Sequence, residues 1–248
     1  MFDITSHNIE VKFDGITFDG NEQNQAGNEP SSTLIRAYDL AGTATSVLKI
    51  DISNCTFKNQ TRSSLAFKGS ETTAGQELAT VTNCWFSEGR KGIGAGDPRV
   101  VNESGFAPTY INANDGFKVN VDNCKFTYTQ TLSIIEPLDY APCGIKFTYV
   151  EETLNSGGSS GILTNNLFYK LGRSDYGYTG AISGNNGIGV IDAYTIGRDI
   201  VFQGNRFIEC YEACVRGKTN IDGLLVDSNI FHDCKDSAVA IGPKGAYD

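Results

Sequence analysis

The chain has 248 residues, a formal net charge of −9 and only two histidines, His7 and His232. That acidic balance argues against a nucleic-acid partner, whose phosphates demand a basic surface, yet leaves an acidic glycan open because local patches outweigh net charge at short range. No apolar run approaches a membrane span, so no membrane insertion is expected, and Met1-Phe-Asp-Ile-Thr5 does not read as a signal peptide.

In chain order, one unit keeps returning: a short alternating strand, a corner, then a second strand carrying Phe. Its copies are Ile9–Phe18, Leu48–Phe57, Leu78–Phe86, Phe117–Phe126, Gly161–Phe168, Ile200–Phe207 and Leu224–Phe231. Two residues before each Phe stands Ile16, Cys55, Cys84, Cys124, Asn166, Asn205 or Asn229. Strand side chains alternate with period two, so a fixed offset to Phe holds one face inward throughout. Further strands are expected between the units, at Thr33–Asp39, Ser64–Gly69, Gly144–Val150, residues 188–194, Cys214–Lys218 and Ala238–Gly242. The stretch 98–115 reads as an insertion, and 22–32, 132–142 and 155–161 read as loops or turns.

Successive Phe positions lie 39, 29, 40, 42, 39 and 24 residues apart. Each unit cannot bury its apolar face alone, so copies must stack, with roughly two dozen residues per bare coil and the surplus in surface loops. An all-β parallel β-helix of about seven coils is therefore expected, as one domain over residues 1–248. Leucine-rich repeats lack their Leu-x-x-Leu-x-Leu frame here, and an antiparallel sandwich does not explain a recurrent Asn/Cys-x-Phe corner. Both ends fall within a repeat, as in a piece of a longer polypeptide or one whose ends another chain covers.

Seven cysteines occur, and three of them share one column. Cys210 and Cys234 share another, three residues after Phe. Stacking sets equivalent residues about 4.8 Å apart, which suits a ladder of reduced, buried thiols better than bridges. No C-x-x-C spacing points to zinc, and no metal or cofactor is expected. Reduced thiols imply assembly in a reducing cytosol.

Common catalytic machinery is mostly missing: with His7 and His232 the only histidines a His-dependent triad is not expected, and neither H-E-x-x-H nor a Walker lysine motif occurs. One feature of the first strands stands out. With Ile35, Phe67, Phe147, Val215 and Val239 inward, their neighbours Arg36, Lys68, Lys146 and Arg216 form an outward cationic column that ends at Ala240. It reads either as solvated charge balanced by Asp39, Glu151 and Glu152, or as a track for something anionic. Beside it the loops carry Glu136, Asp139, Asp175, Asp192 and Glu212, a pool for general acid and base. Arg173, Tyr176 and Tyr178 join the binding candidates, since flat tyrosine faces suit sugar rings. Glycosidic hydrolysis needs two carboxylates flanking the bond, one of them protonated.

The repeated strand–Asn–x-Phe coils, together with Ile16-Thr-Phe-Asp-Gly-Asn21, resemble the pectate-lyase-like right-handed β-helix superfamily over nearly the whole chain. Within it the chain is most similar to the central domain of bacteriophage tailspikes. That resemblance implies a homotrimer in the full-length protein, carried on the virion tail and assembled in the host cytoplasm. It implies binding, and usually cleavage, of a bacterial surface polysaccharide by hydrolysis or lyase elimination. The alternatives are a non-enzymatic glycan-binding adhesin and a bacterial polysaccharide lyase. Neither the Arg-x-Pro-x-x-Arg of pectate lyases nor the Asn-Thr-Asp of polygalacturonases is present, so no catalytic residue carries over from the family.

Overall fold

The computed structural model describes residues 2–5, 9–20, 33–38, 48–60, 63–69, 78–88, 109–114, 117–129, 143–148, 159–171, 191–194, 197–210, 214–217, 221–234 and 237–241. Among the described residues every regular element is a β-strand, and the strands form three parallel sheets. The first sheet is built from β1 (Phe2–Ile4), β4 (Ile35–Tyr38), β7 (Ser63–Lys68), β10 (Thr109–Asn114), β13 (Cys143–Thr148), β16 (Ile191–Tyr194), β19 (Val215–Gly217) and β22 (Val239–Ile241). The second contains β2 (Ile9–Asp14), β5 (Leu48–Ser53), β8 (Leu78–Thr82), β11 (Lys118–Asp122), β14 (Ser159–Thr164), β17 (Gly197–Gln203) and β20 (Ile221–Asp227). The third holds the short Phe-bearing strands β3 (Thr17–Asp19), β6 (Thr56–Lys58), β9 (Trp85–Ser87), β12 (Lys125–Thr127), β15 (Leu167–Tyr169), β18 (Arg206–Ile208) and β21 (Ile230–His232). Within each sheet the strands follow sequence order, each pairing with its counterpart in the next repeat. This arrangement is consistent with a parallel β-helix. No helix among the described residues is long and apolar enough to cross a membrane.

The Phe column stacks inside as the offset requires. Ring centroids lie 4.8 Å apart for Phe18–Phe57 and Phe86–Phe126, and 5.0 Å for Phe207–Phe231, with planes within 8° of parallel. The spacing equals the strand spacing, so every ring meets the next face to face, and all from Phe57 to Phe207 are sealed from solvent.

The corner before Phe is turned by a left-handed residue, Gly15, Asn54, Asn83, Asn123, Asn165, Gly204 or Ser228. Gly and Asn dominate because they enter that region at least cost. Turning the chain there points the next N–H along the stack, where it needs an acceptor. The column residue of the following repeat supplies it. Cys55 N–H donates to Cys84 Sγ at 3.4 Å and Cys84 N–H to Cys124 Sγ at 3.3 Å. From there the ladder changes element: Cys124 N–H donates to Asn166 Oδ1 at 2.9 Å, Asn166 N–H to Asn205 Oδ1 at 3.0 Å, and Asn205 N–H to Asn229 Oδ1 at 2.9 Å. The recurrence of Cys or Asn is thus one requirement, a small buried acceptor, met in two ways.

Two expectations need correction. The stretch 98–115 is not wholly an insertion, because β10 occupies its end and pairs with β7 and β13. It carries no Phe to mark it; Ile111 and Ala113 fill the inward positions, and Tyr110 is buried with its hydroxyl donating to Thr127 O at 2.7 Å. The expected inward row of the first sheet also merges two rows: Ile35, Val215 and Val239 share one, while Phe67 and Phe147 stand in the next, two residues further along their strands. Ala37 pairs with Phe67, and Phe67 with Ala113, then Phe147 and Ala193, while Ile35 pairs with Leu65. Alternating Ala with Phe lets each ring use the space its neighbour leaves. Gly161 on the second sheet belongs to the same fit, since a Cβ there meets Val119 O at 2.3 Å and the Phe147 ring at 3.0 Å.

Candidate functional site

The register rewrites the cationic column. Arg36 pairs with Ala66, not Lys68, and the row continues through Asn112, Lys146, Asp192 and Arg216 to Ala240. Lys68 stands two residues further along its strand, level with Tyr38, Asn114 and Thr148. At the start of the row Asp3 is level with Arg36, and the two form a bidentate pair, with Arg36 Nε and Nη2 each 2.8 Å from a carboxylate oxygen. The row is therefore not uniformly cationic. It runs acid, base, small, amide, base, acid, base, and adjacent members lie about 4.8 Å apart in the backbone. Alternating sign removes the like-charge repulsion that a purely basic row faces.

Asp192 is the one member of the proposed acid–base pool that falls on a described strand, and the register sets it between Lys146 and Arg216. Glu136, Asp139, Asp175 and Glu212 lie outside the described residues, as do Arg173, Tyr176 and Tyr178. The balancing acids Asp39, Glu151 and Glu152 lie outside them too.

A second outward face went unnoticed in the sequence. On the third sheet Trp85 is 49% exposed, with Nε1 donating to Thr127 Oγ1 at 2.9 Å, so its ring is tied to the neighbouring strand. Its register neighbours are Thr56 and Lys125, and Arg206 lies further along the same row. The signal was available: within the repeat, the position before Phe holds Thr17, Thr56, Trp85, Lys125, Leu167, Arg206 and Ile230. A bulky indole at an outward position of an otherwise solvated row is unusual in a chain with a single tryptophan.

Cys55, Cys84, Cys124, Cys210, Cys214 and Cys234 are free thiols. Burial pushes the Cys124 thiol up and does the same to Cys55, so these two stay protonated near neutrality. A separate group gathers where the third sheet hands over to the first. There Cys210, Cys214 and Cys234 have their sulfurs within 4.8 Å of one another, and Cys214 Sγ lies 3.0 Å from Cys234 Sγ. The hydrogen bond with Cys214, together with burial, pushes Cys210 up to about 12. The equivalent junction near the other end holds Gln60 and Ser64, both fully buried, whose side-chain polar atoms have no hydrogen-bond partner.

Comparison with protein-family models, with curated proteins and with solved structures returned no match. Function must therefore be argued from the surfaces themselves.

Proposed function

We propose that this chain is a single-stranded, right-handed parallel β-helix domain of the pectate-lyase-like kind. We further propose that it serves in a phage tailspike that binds and cleaves a bacterial surface polysaccharide. On this reading the full-length protein is a homotrimer on the virion tail, assembled in the host cytoplasm, and its partner is the glycan coat of a bacterium. The observation that carries the reading is the row Lys146–Asp192–Arg216, which stacking brings to consecutive strands of one parallel sheet. A long polar polymer needs contacts repeated along a line, and a stacked fold offers them at a fixed interval. Cations at both ends of the triplet suit carboxylate or phosphate substituents, and the central carboxylate accepts hydrogen bonds from sugar hydroxyls. Any cleavage requires a second acid, for which the pool is Glu136, Asp139, Asp175 and Glu212.

A second reading has its own observation. Trp85, exposed beside Lys125, is the kind of flat platform on which sugar rings lie, and it favours a contact along the third sheet in a purely binding protein.

The test is incubation with a panel of capsular and O-antigen polysaccharides, following chain length and the absorbance of the unsaturated product of elimination. Shortening with absorbance identifies a lyase, and shortening without it a hydrolase. Binding without shortening identifies an adhesin, in which Trp85→Ala should weaken retention more than Arg216→Glu. No binding to any member of the panel rejects the proposal.

A further inference from the structure

We propose that Cys210, Cys214 and Cys234 form a binding site for a thiophilic d10 cation, Zn2+ or Cu+, close to the end of the stack. The cluster is assembled from three separate places. Cys210 follows β18, Cys234 occupies the same position after β21 in the next repeat, and Cys214 enters from the start of β19. Stacking alone explains Cys210 above Cys234. It does not explain the third sulfur, which comes from a different corner of the coil and closes the group.

The geometry is close to what one ion needs. Sulfurs bound at about 2.3 Å to a single cation lie no more than about 4.6 Å apart. Here all three lie within 4.8 Å of one another, and the nearest two at 3.0 Å, so side-chain adjustment alone reaches a three-sulfur shell. The backbone beneath is held firmly. Cys214 N–H donates to Ser237 O at 3.0 Å, Val215 N–H to Ala238 O at 3.1 Å and Glu209 N–H to His232 O at 2.9 Å. Cys210 and Cys214 are fully buried and Cys234 is half-buried, which gives a closed floor with an opening on one side. The ligand class follows from the donors, since three thiolates select soft cations over Mg2+ or Ca2+. Three sulfurs complete the shell of Cu+, or leave a fourth position for water on Zn2+. Each thiol that binds gives its proton to solvent, so uptake releases protons. The Cys-x3-Cys spacing with a third Cys 20 residues on matches no zinc-ribbon pattern, which is why the linear sequence conceals it.

The test uses the full chain, purified under reductant, stripped of metal and titrated separately with Zn2+ and with Cu+ under anaerobic conditions. One ion per chain is expected from at least one titration, with a rise in thermal midpoint that excess chelator reverses. The arm that saturates first names the ion. Cys214→Ser should lose uptake, while Cys55→Ser, in the separate ladder, should keep it. Because Cys214 is buried, alkylation of the unaltered chain supplies an independent readout: bound metal should slow modification of Cys234 at least tenfold. Absence of uptake of either ion, full uptake by Cys214→Ser, or a Cys214–Cys234 disulfide as the form recovered from metal-replete cells overturns the proposal.

Discussion

The corner column divides into two halves that solve one problem with different atoms. A sulfur accepts the turning N–H of Cys55 and of Cys84, and an amide oxygen accepts that of Cys124, Asn166 and Asn205. Both halves also donate back to the preceding repeat, Cys84 Sγ to Ile52 O at 3.7 Å and Cys124 Sγ to Val81 O at 3.5 Å, but the amide half does so at shorter range. Asn166 Nδ2 also donates to Val121 O at 3.0 Å, Asn205 Nδ2 to Leu163 O at 2.9 Å and Asn229 Nδ2 to Phe202 O at 2.9 Å. Asn166 and Asn205 therefore each tie three successive repeats together through strong amide hydrogen bonds, whereas sulfur is a weak acceptor and a weak donor. The sulfur half relies more on shape: a small, apolar, fully buried side chain beside the Phe stack. Sequence similarity between the halves hides a difference in where their stability comes from.

The largest effect should come from what the halves share. Phe126 stands where sulfur gives way to amide, sealed between Phe86 and Phe168. Phe126→Ala should cost about 3–5 kcal/mol in denaturant unfolding, since a buried ring is lost and a cavity remains.

Next, the halves should separate. Asn205→Ala removes the acceptor of a buried N–H and the donor to Leu163 O, and should cost about 2–4 kcal/mol. Cys84→Ala removes a weak acceptor and a weak donor and should cost about 1–2 kcal/mol, much of it packing. Asn205→Cys, which restores only a weak acceptor and a weak donor, should fall between Asn205→Ala and the unaltered chain. Equal costs for Asn205→Ala and Cys84→Ala would erase the distinction between the halves.

The smallest effect is in pH, and within the corner column only the sulfur half should show it. Burial raises the folded-state pKa of Cys55 and Cys124, so the native chain keeps protons that unfolded thiols release. Their stabilising contribution is complete below the unfolded value of about 8.5 and declines as pH rises beyond it. Unfolding midpoints measured upward from neutrality should therefore fall in the alkaline range, and the fall should shrink in Cys124→Ser. An unchanged alkaline slope in that variant would assign the effect to other groups.

What the linear sequence reveals depends on which face a residue serves. The Phe column and the Cys/Asn column are legible because each marks a fixed offset within a recognisable unit, and burial tolerates few residue types there. The first sheet is different. Its inward positions alternate Ala37, Phe67, Ala113, Phe147 and Ala193, so aligning by the large residues slips the register. A slip of one residue would reverse the faces and betray itself; a slip of two preserves them and passes unnoticed. That slip put Lys68 beside Arg36 and obscured both the place of Asn112 and that of Asp192. The strand β10 escaped for the same reason, since Ile111 and Ala113 carry no aromatic marker. Trp85 was readable in principle but sits on an outward row, where composition is free and a single unusual residue carries little weight.

The most direct measurement of the functional account is the affinity of the double charge reversal, Lys146→Glu with Arg216→Glu, for the polysaccharide that the unaltered chain retains. Folding should be unaffected, since outward substitutions usually change stability by no more than about 0.5 kcal/mol. Affinity should fall at least about tenfold, the loss of roughly 1.4 kcal/mol, with thermal unfolding unchanged. Full affinity in the folded double variant would contradict a glycan track along the first sheet.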